Sequence, residues 1–257
     1  MSKTSIRKLS QAVFLLLSLG ILSLVIINGK TTIHNLCPYA VICFGFLKGN
    51  LINFSVGIAA LGVFLGIAFM VFSMFQGRIF CGYICPLGTL QELVYAVRRR
   101  RSKQIPFMYE RKLAKFKYIL LPLNIILVLL GLSWLYINFC PIYGLSRLPS
   151  LAVGGLIIFI LIMVGGIFVE RLWCRYLCPY AALLNLAQGL GKLLGTKRRM
   201  IYRNLERCID CELCSRNCPM NLDILASEYV QDHNCIHCLR CTVKCPKPGT
   251  VCRGKEV

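Results

Sequence analysis

Sixteen cysteines occur in this chain of 257 residues, and half of them fall in two runs of fixed spacing. The first run is Cys208, Cys211, Cys214 and Cys218, closed by Pro219; the second is Cys235, Cys238, Cys241 and Cys245, closed by Pro246. Each reads C-x2-C-x2-C-x3-C-P, and the second begins 27 residues after the first. A zinc site of four thiolates is normally built from two C-x2-C pairs with a spacer, which neither run resembles. Three closely spaced cysteines followed by a fourth and a proline suit a cubane [4Fe–4S] cluster, the fourth thiolate ligating the other cluster of a pair. The ligand sets are therefore Cys208, Cys211, Cys214 and Cys245 for one cluster, and Cys218, Cys235, Cys238 and Cys241 for the second. Pro219 and Pro246 end each local turn.

A second set of cysteines is repeated at wider intervals. Cys81-Gly-Tyr-Ile-Cys85-Pro86 is matched by Cys174-Arg-Tyr-Leu-Cys178-Pro179, and Asn35-Leu-Cys37-Pro38 by Asn138-Phe-Cys140-Pro141. Eight of the sixteen cysteines are followed by another three or four positions on, and six directly precede proline. This spacing reads as metal ligation in a reducing compartment rather than as a disulfide scaffold. What the wider pairs do depends on the elements that carry them.

The chain is 57% hydrophobic, with a mean hydropathy of +0.66, and its apolar residues are gathered in long runs. That excludes an ordinary soluble domain. Four membrane spans are expected at about 9–27, 51–75, 118–137 and 151–169, the last three rich in glycine or interrupted by Pro122. The first has the basic start of a signal peptide, but its apolar part is long and Asn28-Gly29-Lys30 offers no small-x-small cleavage site, so it reads as retained. The formal charge is +20, with ten acidic residues. Lysine and arginine crowd the segments before span one, between spans two and three (Arg98 to Lys117) and after span four; the other two loops hold only Lys30, Lys48 and Arg147. By the positive-inside rule both termini lie in the cytoplasm of a prokaryote, and the charge answers to anionic lipid, not to nucleic acid.

The expected fold is an all-α membrane protein. Residues 1–195 form two equivalent helix pairs inserted the same way up, related by an axis along the membrane normal. Residues 196–257 form a cytoplasmic ferredoxin-like domain with two clusters. Cys81, Cys85, Cys174 and Cys178 then lie at the cytoplasmic ends of spans two and four, where four thiolates can clamp a third cluster; the bland reading is buried thiols packed as small hydrophobes. Cys37, Cys140 and the nearby Cys43 fall at the opposite face. There a Cys37–Cys140 disulfide or redox dithiol, a metal site with His34, and purely structural cysteines all stay open.

Absences narrow the chemistry. The three histidines are His34, His233 and His237, so no span offers one to haem b, and no dinucleotide or phosphate-loop fingerprint occurs. The spans carry essentially no ionisable residue at mid-depth, which argues against an ion carrier. Glu170, with Tyr83 and Tyr176, is a candidate quinone pocket at the inner face, although a boundary glutamate beside Arg171 and Arg175 is more commonly just ion-paired. The basic loop would suit a soluble ferredoxin or flavodoxin donor, or serve topology alone.

The paired C-x3-C-P motifs, the stretch from His34 to Pro38 and that from Cys81 to Glu92, with the two-cluster run behind them, resemble the polyferredoxin membrane proteins. That family includes a membrane subunit of periplasmic nitrate reductase systems and the membrane part of nitrous-oxide and nitrite respiration regulators. The likeness covers nearly the whole chain. It implies electron transfer between the quinone pool or cytoplasmic donors and an extracytoplasmic acceptor, with Cys81, Cys85, Cys174, Cys178 and the eight later cysteines as cluster ligands. The flavin domain of the larger regulators is lacking here, so by that resemblance a flavin or haem would belong to a partner subunit. The reading is a membrane electron-transfer subunit of a respiratory complex. Its rivals are a maturation factor that reduces a metal or thiol during assembly of a respiratory enzyme, and a redox sensor.

Overall fold

The computed structural model describes residues 3–28, 37–39, 42, 58–98, 105–146 and 153–254. Helix α1 (Lys3–Asn28) contains the first expected span. Its Arg7, Ser10 and Gln11, spaced three and four apart, share one face. They bond to Gly82 O, Tyr83 O and Glu92, while leucines on the rest of its surface are exposed. Its stretch Ser5–Leu24 is the one candidate span, by length and hydropathy, among the described helices. The apolar stretches Leu61–Gln76 and Gly154–Phe168, within helices α2 (Ile58–Gln76) and α9 (Val153–Phe168), are shorter.

The third expected span is divided. Helix α6 (Phe116–Leu129) carries Pro122 inside it and stops at Gly131, whose φ of +75 is the left-handed conformation that favours glycine. The Gly131 N–H donates to Val128 O at 3.1 Å and Leu132 N–H to Leu127 O at 2.8 Å, a Schellman stop. Helices α7 (Ser133–Asn138) and α8 (Pro141–Ser146) follow.

Beyond α2 the chain reverses at Gly77, φ +67, into the short helix α3 (Ile79–Tyr83) and then α4 (Pro86–Val97). Beyond α9 it reverses at Arg171, φ +57, into a π-helical turn (Trp173–Leu177) and then α10 (Pro179–Leu193). Helix α10 lies parallel to α2: the Tyr180 hydroxyl donates to Gly66 O at 3.2 Å, and Ser73 Oγ to Leu184 O at 3.4 Å. Helix α4 lies against α9, with Arg98 over the Phe168 ring at 5.2 Å. In the chain between α4 and α6, α5 (Phe107–Leu113) interrupts the basic loop.

The last segment has little regular structure. Strands β1 (Ile201–Arg203) and β2 (Val251–Arg253) pair antiparallel, Ile201 opposite Arg253 and Tyr202 opposite Cys252. They close off the two cysteine runs, which contain the short helices α11 (Leu213–Arg216) and α12 (Arg240–Lys244).

Candidate iron–sulfur centres

The two runs fold as copies of one another. Asp210 and His237 have φ of 47 and 51, and Glu212 and Leu239 both have φ of 57, each pair at the 27-residue offset of the runs. These left-handed residues bend the backbone around each thiol triplet, and α11 and α12 begin at equivalent positions behind them. Left-handed geometry at four non-glycine residues is strained and persists only where the surroundings hold it.

One cavity is lined by Cys208, Cys211, Cys214 and Cys245, with Ile209, Leu225 and Val251 among its other walls. A second is lined by Cys218, Cys235, Cys238 and Cys241, with Ile201, Met220, Leu222, Ile224 and Ile236. Each thus takes three cysteines from one run and the fourth from the other. Burial pushes the Cys218 and Cys241 thiols well up, and Cys235 to about 12. Thiolates in such apolar walls need a bound cation to exist at all. Among the described residues no three Cys, His, Asp or Glu side chains converge on a single-ion site. The donor set, four thiols around a space rather than at a point, fits a cluster of irons, which supplies storage of one electron at a time when bound.

The cysteines of the membrane half also come together. Cys85 interacts electrostatically with Cys174, Cys81 and Cys178, and Cys178 with Cys174 and Cys81. The C-x3-C pairs do not share one helical turn: Cys81 lies in α3 and Cys85 caps α4, while Cys174 lies in the π-helical turn and Cys178 caps α10. Pro86 and Pro179 occupy the first helical position, where a missing N–H costs nothing. The Gly88 N–H donates to Cys85 and the Ala181 N–H to Cys178. Two helix N-termini are thereby aimed at the thiols and favour negative charge there. The two halves also exchange cations. Arg78 Nη2 donates to Cys174 O at 3.1 Å and Arg171 Nη1 to Cys81 O at 2.5 Å; both arginines are 0% exposed. Sequence reasoning passed over this pair. Its signal was there, because Arg78 and Arg171 each stand three residues before the first cysteine of their motif.

The second run docks on this four-thiol site. A Cβ at Gly82 would stand 2.5 Å from Ile236 O, so the two backbones touch where only glycine fits. The side-chain oxygen of Asn234 accepts from Arg78 at 3.1 Å, from Asn185 at 2.9 Å and from the fully buried Lys117. Nearby, Glu92 receives Arg7, Arg171 and, from the ferredoxin segment, Arg240 at 3.5 Å. Burial would raise the Glu92 carboxyl, but Arg171, Arg7 and Arg240 outweigh it and hold the group at about 2. Glu110 of α5 pairs with Arg175 and accepts from Tyr176 Oη at 2.6 Å and Asn221 Nδ2 at 3.3 Å. Glu110, Asn234 and Lys117 carried no motif, so nothing in the sequence singled them out.

The remaining expected residues are distributed as follows. Glu170 pairs with Arg240, Tyr83 Oη donates to His237 O at 3.4 Å, and Tyr176 serves Glu110. All three candidate quinone residues thus take part in networks that tie the membrane half to the ferredoxin segment. Cys140 caps α8 in the manner of Cys85 and Cys178, taking the Tyr143 N–H. Cys37 packs against a core that includes Cys81 and Tyr180. His34 and Cys43 lie outside the described residues.

Comparison with known proteins accords with this geometry. A family model described as a 4Fe-4S binding domain matches residues 58–104 and 151–199, the two C-x3-C-P halves. Another, a 4Fe-4S dicluster domain, matches residues 200–246. An uncharacterized protein of Methanocaldococcus jannaschii is 31% identical over 219 residues, which are 82% of this chain and 86% of the relative. The chain belongs to the polyferredoxin-like 4Fe-4S family. Two further members are YccM of Escherichia coli, 31% identical over 75% of this chain, and the ferredoxin-type protein NapH of the same organism, 27% identical over 68%. The chain spans 55% of YccM and 62% of NapH. No solved structure matches it. Membership gives the chain an iron–sulfur electron-transfer role.

Proposed function

We propose that this chain is a membrane electron-transfer subunit that holds three [4Fe–4S] clusters in series. The observation that carries the reading is the docking of Ile236 on Gly82, which sets the second cysteine run directly against the four-thiol site. The order is then Cys208, Cys211, Cys214 and Cys245 outermost; Cys218, Cys235, Cys238 and Cys241 next; and Cys81, Cys85, Cys174 and Cys178 innermost. Three of the outermost ligands are partly exposed, which suits exchange with a redox partner.

The chain's own residues do three things along this line. The left-handed turns hold the two ferredoxin thiol sets open. The buried arginines Arg78 and Arg171, with the ends of α4 and α10, offset the negative charge of thiolates in an apolar setting. Asn234, Glu92 and Glu110 fix the spacing between the ferredoxin segment and the membrane half.

Exposed leucine, isoleucine and phenylalanine side chains on α1, α2, α6 and α9 support four spans in lipid, two per half. The positive-inside rule then sets the termini and the ferredoxin domain in the cytoplasm of a prokaryotic cell. Quinone, or a partner subunit carrying flavin or haem, would complete the circuit.

The test is iron and acid-labile sulfide per chain, on protein purified in detergent without oxygen, with reduced-state electron paramagnetic resonance. About twelve irons are expected, where about eight would confine clusters to the ferredoxin segment and refute the innermost site.

A further inference from the structure

The Tyr180 side chain runs from beside the four-thiol site into the bundle. After Gly77 the chain climbs again beside α2, so that the Phe80 ring lies 4.5 Å from that of Phe69. Tyr180, two residues after Cys178, reaches the carbonyl of Gly66. Gly66 is ten residues before the end of α2 at Gln76, a rise of about 15 Å. That is about half of a hydrocarbon core of about 30 Å.

Aromatic rings continue from that depth. Tyr180 meets Phe80 edge-on at 5.9 Å and Tyr39 edge-on at 6.4 Å, and Tyr39 meets Tyr136 at 6.2 Å. Tyr39 and Tyr180 are both buried. Cysteines stand at both ends of this run. The Tyr180 hydroxyl interacts electrostatically with Cys81, Cys37, Cys178 and Cys85. Cys37 is two residues before Tyr39, and Cys140 is four residues after Tyr136. The Tyr39–Tyr136 contact therefore joins the two distant segments of the chain that carry these Cys-Pro motifs. Core packing would explain the rings but not the cysteines placed beside them.

We propose that Cys37 and Cys140 form a redox-active dithiol–disulfide couple, joined to the four-thiol site through the rings of Tyr180, Tyr39 and Tyr136. This rests on the reading that Cys81, Cys85, Cys174 and Cys178 hold a low-potential iron–sulfur cluster. Two electrons, delivered singly by iron–sulfur donors that are oxidised in turn, break the Cys37–Cys140 S–S bond, and each sulfur takes up one proton. Ferredoxin-type clusters reach potentials well below those of exchange-active dithiols, so the step runs downhill. The product is a dithiol competent for exchange with another disulfide.

The experiment uses the full chain, purified in detergent without oxygen, oxidised with diamide and then reduced with photoreduced viologen. Alkylation of Cys37 and Cys140 is followed by mass spectrometry, and iron is counted in parallel. The two thiols are expected to become blocked together on oxidation and to be recovered on reduction. Tyr180→Leu should keep its iron and its magnetic spectrum but lose the recovery, and Tyr180→Phe, which keeps the ring, should retain it. Cys81→Ser should lose both the innermost iron and the recovery. A pair that diamide never blocks overturns the proposal. So does recovery that is equally fast in wild type, Tyr180→Leu and Cys81→Ser, since viologen would then reach the pair directly. Iron unchanged in Cys81→Ser would instead overturn the ligand reading on which the proposal stands.

Discussion

Replacing Gly82 by alanine tests the docking of the ferredoxin segment at its tightest point. The added Cβ would lie 2.5 Å from Ile236 O, while ordinary contact begins near 3.4 Å, so the two backbones must part by about 0.9 Å. Gly82 cannot easily yield, because its carbonyl accepts from Arg7 Nε at 3.1 Å and Gln11 Nε2 at 3.0 Å. Ile236 is held by its neighbours Asn234 and His237, which bond to Arg78 and Tyr83. Overpacking of a closed contact costs about 1–3 kcal/mol, which is a fall of roughly 5- to 150-fold in the docking equilibrium constant. Hydrogen exchange of amides in residues 231–240 reads the undocked fraction, and should quicken by the same factor in Gly82→Ala. Gly189→Ala is the control: nothing lies within 4 Å of its added Cβ, and a helical site there should be neutral or gain about 0.4–1 kcal/mol. Iron bound by the ferredoxin segment should not change in either variant. Exchange in Gly82→Ala as slow as in wild type would refute the contact, and with it the serial arrangement of the three thiol sets.

Other expectations follow from the same networks. Cys174→Ser should lower iron from about twelve to about eight per chain while leaving the ferredoxin-type spectrum in place. Asn234→Ala strands buried donors of Arg78, Lys117 and Asn185, and should lower the melting temperature by an amount equivalent to about 1–3 kcal/mol; Asn234→Asp, which keeps an acceptor, should recover most of it. Glu92→Gln breaks a buried carboxylate from Arg7 and Arg171, at a cost of about 3–5 kcal/mol. The Glu92 carboxyl is held at about 2 against an ordinary 4.5, so its contribution is complete above that ordinary value and fades as pH falls toward 2. Thermal unfolding of wild type and Glu92→Gln should therefore differ most near neutrality and converge in acid; a constant difference would show that the pairing is not the cause.

Much of this site was legible in residue spacing. The C-x2-C-x2-C-x3-C-P pattern groups the eight cysteines in the same two sets that line the two cavities, because the fourth thiol of such a run belongs with the other triplet. The repeated C-x3-C-P motif likewise predicted that Cys81, Cys85, Cys174 and Cys178 meet. The long apolar runs overlap α1, α2 and α9 but did not show the break at Gly131, where a single glycine in an apolar run ends α6 through backbone geometry. Nor did they show that the C-x3-C pairs divide between a short turn and the cap of the next helix, which follows from proline at the first helical position. Spacing along a chain reports only local partners. Asn234 against Lys117, Glu110 against Arg175 and Glu92 against Arg240 join positions 65 to 148 residues apart, and isolated polar residues carry no period to reveal them. The same holds for Tyr39, Tyr136 and Tyr180. Nothing in the sequence relates the three to one another, and only the tertiary structure sets them in one line, because ring contact depends on how separate helices pack and not on the order in which they are made.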